Sequence, residues 1–107
     1  MSLVQTCWDG RLELRLSPHE MRMSHWVHAP TLVEVASGRV LFDLADSTWD
    51  LLRLEEHPDA LHLWLRQYPG DRGEVLLQVR RADHGLLIDG QTVAADALAQ
   101  RLQAALG

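Results

Sequence analysis

The 107-residue chain contains no lysine and no asparagine, and only one cysteine, Cys7, and one isoleucine, Ile88. A lone cysteine excludes an internal disulfide and any Cys-x-x-Cys zinc or redox motif, and the role expected of it is that of a small buried hydrophobe. Without lysine, every permanent side-chain cation is a guanidinium, a group suited to bidentate pairing with carboxylates. The skewed usage points to codon bias in a GC-rich bacterial genome. Ten arginines against fifteen acidic residues leave a net charge of −5, and Arg80-Arg81 is the one adjacent basic pair. A basic face for a phosphate backbone is therefore not expected, and no nucleic-acid partner.

Long apolar runs are also missing. Stretches such as Val40-Leu41-Phe42 are far too short to cross a bilayer. The start, MSLVQTCWDGR, lacks the basic segment and apolar stretch of a signal peptide, so the expected compartment is the cytoplasm, with no membrane partner. There is no Gly-x-Ser-x-Gly elbow and no glycine-rich phosphate cradle, so neither catalytic residues nor a cofactor are expected. Apolar residues at 47% and charged residues at 23% are ordinary for a globular chain, and residues 1–107 read as a single domain.

What the sequence does have is alternation. In Arg11-Leu-Glu-Leu-Arg-Leu16 the three leucines face one way and the charges the other, a half-buried strand ended by Ser17-Pro18. Glu20 to His25 alternates again. Thr31–Val35 and Val40–Leu44 flank a loop whose Gly38 can take positive φ, the clearest hairpin in the chain. Glu74–Arg80 and Leu86–Asp89 flank a second. The middle segment, 49–66, fits either helical or strand spacing; His57-Pro-Asp-Ala between two short apolar runs favours a strand hairpin, with Trp49 in the core. From Val93 the chain turns alanine-, leucine- and glutamine-rich, and Leu98, Leu102, Ala105 and Leu106 share one helical face, with Thr92 as N-cap. The fold class expected is α+β, mainly β: an antiparallel meander of about six to eight strands within 11–89, sandwich- or barrel-like, closed by one amphipathic helix over 93–106.

Chemistry is harder to find. In Ser24-His-Trp-Val-His-Ala-Pro30 two histidines stand three apart, but residues so spaced on a strand point to opposite faces. His25 and His28 are thus weak zinc candidates, and no metal is expected. His57 and His84 fall in turns open to solvent, and Glu55-Glu56 reads as a solvated loop edge.

The four tryptophans say more. Trp64 shares a strand face with His62 and Arg66, opposite Leu61, Leu63 and Leu65, and Trp26 lies opposite Met21 and Met23. Aromatics with arginine are the composition of a binding hot spot. Trp26, His62, Trp64 and Arg66 are accordingly the candidate binding residues of a non-catalytic module for a protein partner, with homodimerisation through a sheet edge as a further expectation. Two outcomes compete for the Trp64 face, which is either open or covered by the C-terminal helix. A β-barrel-like carrier with tryptophans lining its mouth is the alternative reading, and an enzyme using a histidine the third.

Overall fold

Period-two patterning becomes nine antiparallel strands in a computed structural model that describes residues 3–21, 26–68 and 73–106. β1 (Leu3–Cys7), β2 (Leu12–Glu20), β3 (Trp26–Glu34) and β4 (Val40–Asp43) form one sheet in that order. β5 (Trp49–Glu56), β6 (Ala60–Gln67), β7 (Val75–Arg80), β8 (Leu86–Ile88) and β9 (Gln91–Val93) form the other. Within each sheet every strand pairs with its neighbour in sequence, and the β4–β5 connection passes from one sheet to the other, so the chain is a meander folded into two layers. The 49–66 segment is the strand hairpin that its turn residues favoured.

Leucine spacing explains why the layers meet. Leu12, Leu14, Leu32 and Phe42 of the first sheet join Leu61, Leu63, Leu65, Leu77, Val79 and Ile88 of the second in one buried cluster. Trp49 and Cys7 belong to it, as expected of them. Each leucine taken fully out of water contributes about 1.5–3 kcal/mol, so this layer holds the sheets face to face. One side is closed where the first half of β3 packs on β5 and the His28 backbone N–H donates to Asp50 Oδ1 at 2.9 Å.

The helix closes another side. A 3-10 turn at Ala95–Ala97 lies against β4, and α1 (Leu98–Ala105) lies against β8. Leu98 and Leu102 enter the core that both sheets share, so the helix is not the cover of the Trp64 face. No helix among the described residues is long and apolar enough to cross a membrane.

Three boundaries differ from the expected ones. Strands extend beyond 11–89, because Leu3–Cys7 pairs with β2 and Gln91–Val93 pairs with β8. The helix starts later than 93, and Thr92 is a strand residue, not its N-cap. Asp89 (φ 53) and Gly90 (φ 78) both take left-handed backbone, and a two-residue turn of that kind sends Ile88 straight back into Gln91. Finally, β2 runs on through Ser17-Pro18 to Glu20. Among the described residues the β1 ladder ends at Leu3 opposite Leu16, so Pro18 lies where β2 has lost one neighbour, and a missing N–H is tolerated there. The alternation read over 20–25 falls mostly on residues 22–25, outside the described ones.

Leu102 is fully buried on an eight-residue helix too short to persist alone in water. Truncating such a leucine costs about 2–5 kcal/mol. Leu102→Ala should lower Tm by about 10 °C or more in a domain of this size, whereas exposed Gln103→Ala should leave it nearly unchanged. Differential scanning calorimetry on both variants decides this, and equal Tm values would mean that the helix is not anchored through Leu102.

Candidate functional site

Outward-facing residues of the second sheet gather most of the chain's chemistry. On β6, Leu61, Leu63 and Leu65 point inward, which leaves His62, Trp64 and Arg66 on the other face. Across the ladder, β7 places Leu76 opposite Trp64 and Gln78 opposite His62. β5 needs a correction of phase before it contributes. Leu51 pairs with Leu65 and Arg53 with Trp64, so Leu52 is an extra, exposed residue in a bulge. After the bulge Arg53 and Glu55 face outward, with Glu55 directly opposite His62. Unbroken alternation from Trp49 would have put both on the core side.

The side chains then interlock. The Arg53 guanidinium carbon lies 4.6 Å from the centre of the Trp64 ring, a cation–π contact. The Trp64 indole N–H donates to Glu55 Oε1 at 3.1 Å, and Arg53 Nε stands 3.7 Å from Glu55 Oε2. The indole hydrogen bond, then the Arg53 charge, holds the Glu55 carboxyl below the usual carboxylate range. His57 follows β5, and its Nε2 lies 3.7 Å from Glu55 Oε1, too long for a hydrogen bond. That nitrogen is buried and has no hydrogen-bond partner among the described residues, although the side chain as a whole is 43% accessible. The His57 and His62 rings are 4.0 Å apart at a tilt of 34°, and the Gln78 carboxamide nitrogen is 3.1 Å from His62 Nε2.

Backbone contacts fix the turn that carries His57. Its N–H donates to Ala60 O at 2.9 Å, and its carbonyl accepts from Trp8 Nε1 at 3.2 Å. Trp8 belongs to the β1–β2 turn and takes φ 51, a strained conformation for a bulky residue. Its backbone N–H also donates to Glu56 Oε1 at 2.9 Å. One tryptophan of the first sheet thereby pins the β5–β6 turn of the second. From the other side Arg81 reaches Pro58 O at 3.3 Å and Asp59 O at 2.9 Å.

Of the four candidate binding residues, His62, Trp64 and Arg66 share this face, and Trp26 stands apart, 51% exposed at the start of β3 in the other sheet. His25 lies outside the described residues. The His28 Nδ1 lies 3.9 Å from the Asp50 carboxylate, and among the described residues no second histidine joins it in a metal-binding group. His84, expected in open solvent, is largely covered and its Nδ1 lies 3.2 Å from Glu34 Oε2, linking the β7–β8 turn to the first sheet. Glu55 and Glu56 are strand residues and not a loop edge. Sequence reasoning passed over Glu55, His57, Gln78 and Trp8; the turn at His57-Pro58 beside a strand carrying His62 was the available signal. Burial and then the Glu56 charge push the Cys7 thiol up to about 11, which disfavours the thiolate form.

Compared with protein-family models, curated proteins and solved structures, the chain matches none.

Because the indole is the first cause of the low Glu55 pKa, Trp64→Phe should raise it toward the ordinary carboxylate value. A depressed folded pKa stabilises the fold above the unfolded value and loses that contribution as pH falls through the folded one. Wild type should therefore lose this contribution at lower pH than Trp64→Phe. Carboxyl 13C titration by NMR reads the Glu55 value directly, and the same value in both proteins would refute the assignment.

Proposed function

We propose that this is a small bacterial cytoplasmic protein acting as a non-catalytic protein-interaction module, with the outer face of the second sheet as its recognition surface. The observation that carries the reading is that Trp64 stands on a face the helix leaves free. It is held there by Arg53 and Glu55. Half-buried Leu76 flanks it on β7, exposed Arg66 lies beside it on β6, and half-buried Leu87 of β8 lies beyond Gln78 in the neighbouring His62 row. A rigid aromatic set among guanidiniums and leucines, with its rotamer already fixed, loses little entropy when a partner covers it.

The carrier reading has less support. Trp26 is exposed, Trp49 is buried in the core and Trp64 lies on the outer face, so they line no common cavity. A cleft of about 370 Å³ between β4 and the helix start is lined by Phe42, Asp43, Leu44, Ala95, Asp96 and their neighbours, with no tryptophan. An enzyme would have to rest on one of the histidine–carboxylate contacts, His57–Glu55, His28–Asp50 or His84–Glu34.

Affinity capture from the native host, with wild type against Trp64→Ala and Arg66→Ala, tests the module. A hot-spot truncation costs at least about 2 kcal/mol, so each variant should lose the captured protein by about 30-fold. Capture indifferent to both substitutions, with folding intact, or no capture at all, removes the reading.

A second contact element is the β1 edge. Leu3, Val4, Gln5 and Thr6 are exposed and uncharged, and the strand has a neighbour on one side only. Such an edge is a template for pairing with a second copy. Sedimentation velocity should show a dimer that Val4→Lys converts to monomer, and a wild type that stays monomeric at high concentration would dismiss edge pairing.

A further inference from the structure

Glu55, His57 and His62 each offer one ligand atom, and these atoms lie within 4.8 Å of one another. We propose that this trio is a binding site for a divalent transition metal, Zn²⁺ first among them, completed by water on its solvent side. The inference does not depend on the protein partner, because it follows from the donor atoms alone.

Two imidazoles and a carboxylate form the donor set that suits Zn²⁺, an ion of borderline softness with tetrahedral preference. With ligand bonds of about 2.0–2.1 Å, donor atoms of a tetrahedral site stand about 3.3–3.4 Å apart. Glu55 Oε1 and His57 Nε2, at 3.7 Å, are already close to that spacing. The third donor, on the His62 ring whose centre is 4.0 Å from that of His57, already lies within 4.8 Å of the other two. The buried His57 Nε2 supplies independent support. It points toward Glu55, makes no hydrogen bond, and would gain through the ion the partner it lacks.

The surroundings are those of ligands held from behind. Glu55 and His62 are direct cross-strand partners, so the sheet fixes their separation. Trp8 and the Ala60 carbonyl hold the backbone of His57. The Gln78 carboxamide stands 3.1 Å from His62 Nε2. Turned by 180°, it accepts the Nε2 proton and leaves the Nδ1 lone pair for the metal, the usual way a ligating histidine is oriented. Glu55 Oε1 accepts the Trp64 N–H and has a second lone pair for the ion, while the Arg53 charge lies nearer to Oε2. Trp64 thus becomes a built-in reporter of occupancy.

The test is isothermal titration of chelator-stripped full-length protein with ZnCl₂. We expect one ion per chain with micromolar affinity. His57→Ala and His62→Ala should each weaken binding about 100-fold and Gln78→Ala about tenfold, within the range known for ligands and their supports. His28→Ala and His84→Ala should bind as wild type does. Zn²⁺ should change the tryptophan emission of wild type and not of Trp64→Phe. A readout that needs no ligand variant is long-range 1H–15N NMR of wild type, in which the His57 and His62 ring nitrogens should move on zinc addition. Zinc signals at other histidines instead, undiminished affinity in His57→Ala and His62→Ala, or no binding up to millimolar zinc would each overturn the site.

Discussion

Every outward feature of this protein depends on the leucine layer between the sheets. Once Leu12, Leu14, Leu32 and Phe42 of one sheet meet Leu61, Leu63, Leu65 and Leu77 of the other, the alternate residues of each strand have no choice but to face away. A one-residue slip of β6 would bury His62, Trp64 and Arg66 together, two of them polar with no partner inside the layer. The same layer draws in the helix. Leu98 and Leu102 add to apolar surface already shielded from water, and the helix closes a flank without spreading over the aromatic face.

Within that frame the site depends on two local irregularities. The bulge at Leu52 shifts the parity of β5, so that Arg53 and Glu55 turn outward to meet Trp64 and His62. The left-handed Trp8 turn then reaches across from the first sheet to hold the His57 carbonyl and, through its backbone, Glu56. Both break a local rule of regular strands and turns, and both have a compensation nearby: a cation–π and hydrogen-bond network in one case, two cross-sheet hydrogen bonds in the other. Departures of this kind concentrate where a structure presents chemistry.

The strand edges are managed unequally. β5 is packed on β3, and the turn before the helix lies against β4. Among the described residues β1 pairs with β2 alone, and its first four residues, all exposed, carry no charge. Charged edge residues are the common defence against pairing, and β1 has none. The two surfaces proposed for contact differ in what they offer: the aromatic face offers side-chain contacts and the β1 edge backbone hydrogen bonds.

How much of this was legible in the residues follows from the range of each interaction. Period-two alternation is local, so the β-rich class, the hairpin at 31–44, the buried Trp49 and Cys7, and the shared face of His62, Trp64 and Arg66 could all be read directly. Asp89-Gly90 was legible too, as a two-residue turn that delays the helix, although alanine and leucine spacing from Val93 masked it. The Leu52 bulge was not legible, because nothing in Trp49–Glu56 marks which residue the β6 register leaves out. Nor was the convergence of Glu55, His57 and His62, since their separations along the chain do not say which way each turns once β5 has changed phase. Trp8 lies 49 residues from His57, and only the packing of two leucine-lined sheets, each specified by its own alternation, brings that indole to the turn that the site depends on.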